Sequence, residues 1–186
     1  MLFKNKVNKV RQPGFSLIEL LVTMSIITTT ASMSVSPLNH LYQQSKIDTA
    51  VDSFSHSLQL ARSEAIKNRQ KIIMCPLSKS FGNSCANNSI WNHGWLIYID
   101  SNSNKKLDDK DIILKRVHLS ANINITSSAS RKRVIYRSIG MSPGSNTTVT
   151  FCDPQANISP SAVILSNTGR PRFSKTKPSG SDLICL

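Results

Sequence analysis

The sequence predicts an α+β fold in which a long N-terminal helix packs on an antiparallel β-sheet domain. Three observations carry this. Residues 20–35 hold no charge. Ile47, Val51, Phe54, Leu58, Ala61 and Ala65 recur at alternating steps of four and three, which marks one apolar helical face. Beyond residue 70 the apolar residues fall into short segments separated by Asn, Ser, Gly and Pro, the pattern of strands and turns. A helix followed by strands, without alternation between the two, is an α+β arrangement. At 186 residues the chain suits one such domain plus an anchor.

The first element begins with a short basic segment, Lys4, Lys6, Lys9 and Arg11, then Gly14, then an apolar run starting at Phe15. A secretory signal peptide places both its basic and its apolar parts upstream of the cut. Here cleavage after Gly14 leaves the apolar run on the product. At about 1.5 Å per helical residue, residues 15–35 reach roughly 30 Å, about one bilayer core. The leader cations favour a cytoplasmic N-terminus with the remainder exported. Thr23, Ser25, Thr28, Thr29, Thr30, Ser32 and Ser34 make the run better suited to packing against other helices than to facing lipid. Glu19 costs on the order of 3 kcal/mol inside a membrane and therefore needs a partner.

Gly14, Phe15 and Glu19 in this register resemble the class III leader of type IV pilins and type II secretion pseudopilins. The resemblance implies that a prepilin peptidase cuts after Gly14 and methylates Phe15. It also implies that Glu19 meets the N-terminal ammonium of a neighbouring subunit and sets the stagger of a fibre.

Pro37 is expected to bend or interrupt the helix, and the periodic segment then runs to about Asn68. Strands are expected at residues 71–75, 94–100, 112–117, 122–126, 133–137, 147–152 and 162–166. Ile123 and Ile125, Val134 and Tyr136, Val149 and Phe151, and Val163 and Leu165 alternate with polar residues, so one face of each strand is buried. Residues 60–67, 91–100 and 112–116 resemble the helix end and strands of the GspH/FimT family of minor pilins and pseudopilins. The implied layout is type IV pilin-like: leader at 1–14, transmembrane and assembly helix at 15–36, and amphipathic helix with a β-rich head at 37–186. Its expected location is the inner membrane, single-pass with a periplasmic head, and then a pilus.

The chain carries 23 Lys and Arg against 10 Asp and Glu, a net charge of +13; without the four leader cations the excess is +9. Such an excess points to a polyanionic partner rather than to a fold. Cys75, Cys85, Cys152 and Cys185 all follow the anchor. Exported chains keep disulfides, and the spacing lacks the close pairs of a zinc site. Four cysteines admit three pairings; the expected one joins Cys75 to Cys85 and Cys152 to Cys185.

Residues 100–111 follow the register of a calcium loop, with oxygen side chains at Asp100, Asn102, Asn104, Asp108 and Asp111. Lys105 stands where the loop needs glycine, so an Asx-rich hairpin loop without metal is expected. His40 and His56 fall on the helix, and His93, between Trp91 and Trp95, reads as a packed histidine. No nucleophile, phosphate-loop or paired-carboxylate motif appears, so neither enzymatic activity nor a cofactor is expected.

Two basic clusters stand out. Arg131, Lys132, Arg133 and Arg137 surround a strand. Gly169, Arg170, Pro171, Arg172, Lys175 and Lys177 form a loop beyond the last apolar strand, with Phe173 as its one aromatic residue. Glycine permits unusual backbone angles, proline stiffens the turn, and arginines fork onto phosphate oxygens. Residues 169–172 are similar to the GRxR motif of FimT-type minor pilins, which binds DNA in natural transformation. Counterion release by Lys and Arg, with a single aromatic residue in the loop, then predicts sequence-independent binding of double-stranded DNA through Arg131, Lys132, Arg133 and the 169–177 loop. The family resemblance implies other pilins and the prepilin peptidase as further partners. The alternative is a GspH-type pseudopilin of type II secretion, which shares the architecture and binds no DNA.

Overall fold

The computed structural model describes residues 14–79, 84–120 and 122–185, with no side-chain description at 32–38. The leader cations Lys4, Lys6, Lys9 and Arg11 lie outside the described residues. The chain divides into two compact units, Met1–Asn39 and His40–Leu186. Helix α1 is assigned to Leu17–Asn68.

In the first unit the Ser16 carbonyl receives the Glu19 and Leu20 N–H groups at 3.1 and 3.2 Å, opening the helix. Thr23 donates to the Leu20 carbonyl at 2.9 Å, Ser25 to Val22 at 2.8 Å and Thr28 to Ser25 at 3.0 Å. The hydroxyls thus bond back onto their own helix, a habit that bends helices slightly. Phe15, Leu17, Ile18, Leu21 and Ile27 are exposed. Among the described residues no helix is long and apolar enough to cross a membrane. The helix continues through Pro37, so of the expected bend or interruption the interruption does not occur. Proline removes one N–H and crowds one carbonyl, and in this helix that does not end the element.

The second unit places eight strands after the helix: β1 (Ile72–Pro76), β2 (Gly94–Ile99), β3 (Ile112–His118), β4 (Asn124–Ser127), β5 (Val134–Tyr136), β6 (Thr147–Cys152), β7 (Ser161–Leu165) and β8 (Pro171–Ser174). They form two four-stranded antiparallel sheets, ordered β3-β2-β1-β5 and β4-β6-β7-β8. The expected strands are all present, but β8 corrects the reading of 169–177 as a loop. Pro171 is tolerated there because β8 is an edge strand and Pro171 opens it.

The apolar helical face at Ile47, Val51, Phe54, Leu58, Ala61 and Ala65 is buried, and it shares one core with Met74, Trp95 and Tyr136 of the first sheet and Val149, Phe151 and Val163 of the second. Phe54 is the hub. Its ring meets Trp91, Trp95 and Phe151 edge-on at 5.4, 5.0 and 5.7 Å, a favoured aromatic geometry. The two indoles keep their N–H groups satisfied, Trp95 donating to the Ser57 hydroxyl at 2.8 Å and Trp91 to that of Ser127 at 3.0 Å. His93 between them is exposed, not packed, because a turn closed by Gly94 N–H to the Trp91 carbonyl at 2.9 Å lifts it off the core.

The first sheet is buried on its second face as well. Ile73, Cys75, Leu77, Leu96 and Tyr98 form a smaller cluster there, with Cys85, Leu107, Ile113 and Ile135 packed against it. Cys75 is bonded to Cys85, and Cys152 to Cys185. Each bridge of this loop length contributes roughly 2 to 4 kcal/mol.

Candidate nucleic-acid interface

The stretch 169–177 is built around Gly169, whose φ of +78° falls in the left-handed region. A Cβ on Gly169 would stand 2.3 Å from the Gly140 carbonyl oxygen and 2.9 Å from Cε1 of Tyr136. Glycine is therefore required on two counts. The Tyr136 hydroxyl donates to the Gly169 carbonyl at 3.3 Å, and the Gly169 N–H bonds the Ser166 carbonyl at 2.9 Å. Burial pushes the Tyr136 phenol well above its ordinary pKa, and the nearby Arg62 guanidinium opposes that shift.

From this fixed turn the chain enters β8, pairing Pro171 with Leu165, Arg172 with Ile164 and Phe173 with Val163. Cross-strand partners share a face. Val163 and Leu165 belong to the core, so Arg172, opposite Ile164, lies on the outer face of the second sheet. Arg170 borders a groove with Gln59, Arg62, Ser63 and Ile66 of α1. Both arginines are exposed. Lys175 donates to the Ser161 hydroxyl at 2.8 Å, and its Nζ lies 5.5 Å from the ring centroid of the half-exposed Phe173. Lys177 lies beside Thr126, Thr148 and Thr150 on the outer face of the second sheet.

The 131–133 run is placed differently. Arg131 donates through Nε to the Asn146 backbone carbonyl at 3.1 Å and through a terminal nitrogen to Asn146 Oδ1 at 3.3 Å. Arg133 donates to the Lys105 carbonyl. Lys132 and Arg137 are exposed. Arg62, which lines the same groove as Arg170, carried no signal of a binding role in the sequence because it looks like any cation on a helix. Among the described residues the only ion pair is Lys67 with Glu64, at 3.6 Å. Among the described residues no other Lys or Arg of the head lies within ion-pairing distance of a carboxylate.

In the 100–111 loop the oxygens are occupied by the loop's own donors. Asp108 accepts from the side-chain amides of Asn102 at 2.8 Å and Asn104 at 2.7 Å, and from the Lys110 N–H at 2.9 Å, and these bonds hold its carboxyl below the ordinary range. Asp111 accepts from the Ser101 and Asp108 N–H groups. Lys105 takes the glycine's place with φ +61°. Among the described residues no group of three or more His, Cys, Asp or Glu is placed to hold a metal ion.

Comparison with known proteins agrees with the fold. Residues 50–169 match the family model of type II transport protein GspH, and residues 9–35 match that of the prokaryotic N-terminal methylation motif. Two crystal structures of the type IV minor pilin FimU from Pseudomonas aeruginosa strain PAO1 are similar. One, in space group P65, is 17% identical with a TM-score of 0.53, covering 73% of this chain and 96% of that one. The other, in P21, is 16% identical with a TM-score of 0.55, covering 77% and 96%. At such identity the likeness speaks for the fold alone. No curated protein matches the chain. With an N-terminal methylation motif ahead of a matched head domain on a type IV pilin fold, this chain belongs to the GspH family of pilin-like proteins, a structural rather than an enzymatic family.

Proposed function

We propose that this protein is a minor type IV pilin that binds extracellular double-stranded DNA without sequence preference. In this reading residues 1–14 are a leader removed by a prepilin peptidase, Phe15 is the methylated N-terminus, and residues 15–36 anchor the chain in the inner membrane before assembly. Glu19 then pairs with a neighbouring pilin's terminal ammonium in the filament. The head at 37–186 faces the periplasm and later the exterior, where it serves DNA uptake in natural transformation.

The observation that carries the DNA reading is the β8 edge. Two exposed arginines flank a proline on a strand anchored by a glycine that nothing else can replace, and neither has a carboxylate partner among the described residues. Lys and Arg bind duplex DNA by releasing condensed counterions, so affinity falls steeply with salt. The single aromatic residue in the stretch, Phe173, offers little for base stacking, which favours phosphate contact on duplex over a single-strand mode. Anisotropy titration of the full chain in neutral detergent against a labelled duplex, across salt concentrations, tests this. No affinity at 50 mM salt rejects it.

The second reading, a GspH-type pseudopilin of the type II secretion system, is favoured by the description of the matching family itself. Deleting the gene and assaying transformation and protein secretion side by side separates the two. Loss of secretion with DNA uptake intact selects the pseudopilin.

A further inference from the structure

A second concentration of positive charge lies away from β8, where the end of α1, the 100–105 part of the β2–β3 loop and the turn after β5 meet around a cleft of about 560 Å³. Arg69, Lys71, Lys105 and Arg137 line it, with Asp100 as its one carboxylate. In the sequence these cations are scattered over nearly seventy positions and only Arg137 belongs to a visible cluster.

The walls are tied together. The Asp100 N–H donates to the Lys71 carbonyl at 2.9 Å, joining the segment after the helix to the start of the loop. The Arg133 guanidinium donates to the Lys105 carbonyl, fixing the loop from β5. The turn beside Arg137 is closed by Gly140 N–H to the Arg137 carbonyl and Arg137 N–H to the Met141 carbonyl, both at 2.8 Å. Asp100 is only 2% exposed, and its carboxylate oxygens accept the Lys105 N–H at 3.3 and 3.4 Å. It forms no ion pair with any of the four cations, since Lys67 with Glu64 is the only pair among the described residues.

Four like charges around one concavity repel each other unless an anion occupies it. Guanidinium groups fork onto phosphoryl oxygens, and lysines bind them as point charges. The lining contains no aromatic side chain on which a base could stack, and its volume suits a small ligand or a short run of phosphoryl groups. We propose that this cleft is a phosphate-binding site, distinct from the β8 edge, which takes successive phosphoryl groups of either a nucleic-acid backbone or a free phosphate chain. The turn between Arg137 and Gly140 connects the two basic regions. Arg137 faces the cleft, while a Cβ on Gly140 would lie 3.2 Å from Nε of Arg62, the residue that borders the Arg170 groove.

The test uses the full chain in neutral detergent and tripolyphosphate as probe, followed by calorimetry at 50 mM salt. The parent should bind, Lys71→Gln with Arg137→Gln should lose at least about tenfold in affinity, and Arg170→Ala with Arg172→Ala should bind as the parent does. Arg137→Lys, which keeps the charge, should retain most of the binding and guards against a folding defect. Absence of saturable heat in the parent, or equal affinity in the Lys71→Gln/Arg137→Gln variant, overturns the site whatever happens at β8. A duplex titration of the same variant identifies the source. A salt slope lower by about 2 assigns the cleft to backbone phosphates, and an unchanged slope together with lost tripolyphosphate binding assigns it to a free phosphate chain.

Discussion

The two basic clusters written most plainly in the sequence, 131–133 and 169–177, have opposite structural roles. Arg131 and Arg133 are drawn inward, each onto a backbone carbonyl of a distant loop, at Asn146 and Lys105. Arg170 and Arg172 stay exposed on either side of Pro171, at the start of a strand whose outer edge has no further strand beside it. What separates them is the supply of acceptors. Loops that end near the first cluster present uncapped carbonyls, which arginines satisfy. β8 instead engages only its inner-edge backbone groups in the ladder with β7, and among the described residues no loop carbonyl accepts from the Arg170 or Arg172 side chains.

Several substitutions would break or sharpen this contrast. The largest effect is expected from Gly169→Ala, which meets both the strained φ and the Gly140 carbonyl. A loss of about 3 kcal/mol in denaturant unfolding is expected, and DNA binding should fall with it because β8 loses its anchor. Replacing Arg170 and Arg172 together by alanine should lower duplex affinity at least about tenfold and reduce the salt slope by about 2. Unfolding should change by less than about 0.5 kcal/mol, as for other surface substitutions. An equal loss of stability would mean these arginines are staples too.

Tyr136, beneath Gly169, gives a pH signature. Its phenol is raised by burial, so the folded chain keeps the proton that the unfolded chain releases above about pH 10. Stability from this residue is full below that pH and lost as pH rises, by about 1 kcal/mol at pH 11. Tyr136→Phe should flatten that part of the stability profile. Arg133→Ala should cost about 1 kcal/mol of stability by removing the donor to Lys105, with the DNA salt slope intact. The smallest change belongs to Lys132→Ala, with no resolvable loss of stability and a slope lower by at most about 1.

Much of the fold was legible because burial imposes a period. The helix face from Ile47 to Ala65 and the strands at 124–127, 134–136 and 147–152 show it, whereas 72–76 and 94–99, buried at every position, were legible as short apolar runs. β8 was missed because its two inward positions are a proline and a half-exposed Phe173, which leaves the alternation without an aliphatic residue. The division into two sheets was not legible either, since pairing β5 with β1 and β4 with β6 depends on contacts far apart in sequence. For the candidate interface, charge could be counted but not assigned. Only coordinates distinguish Arg133, spent on a carbonyl, from Arg137, left beside a cleft.

The bond between Cys152 and Cys185 joins the end of β6 to the tail across 33 positions and encloses both β7 and β8 in a covalent ring. A tether pulling on Arg170 or Arg172 could unzip β8 from its neighbour, but the chain between the two sulfurs has a fixed contour and cannot pay out past it. Under traction the load passes to β6, whose neighbours hold it on both sides. Such a ring lets the head give slightly and then hold, as the proposed capture of a long polymer requires.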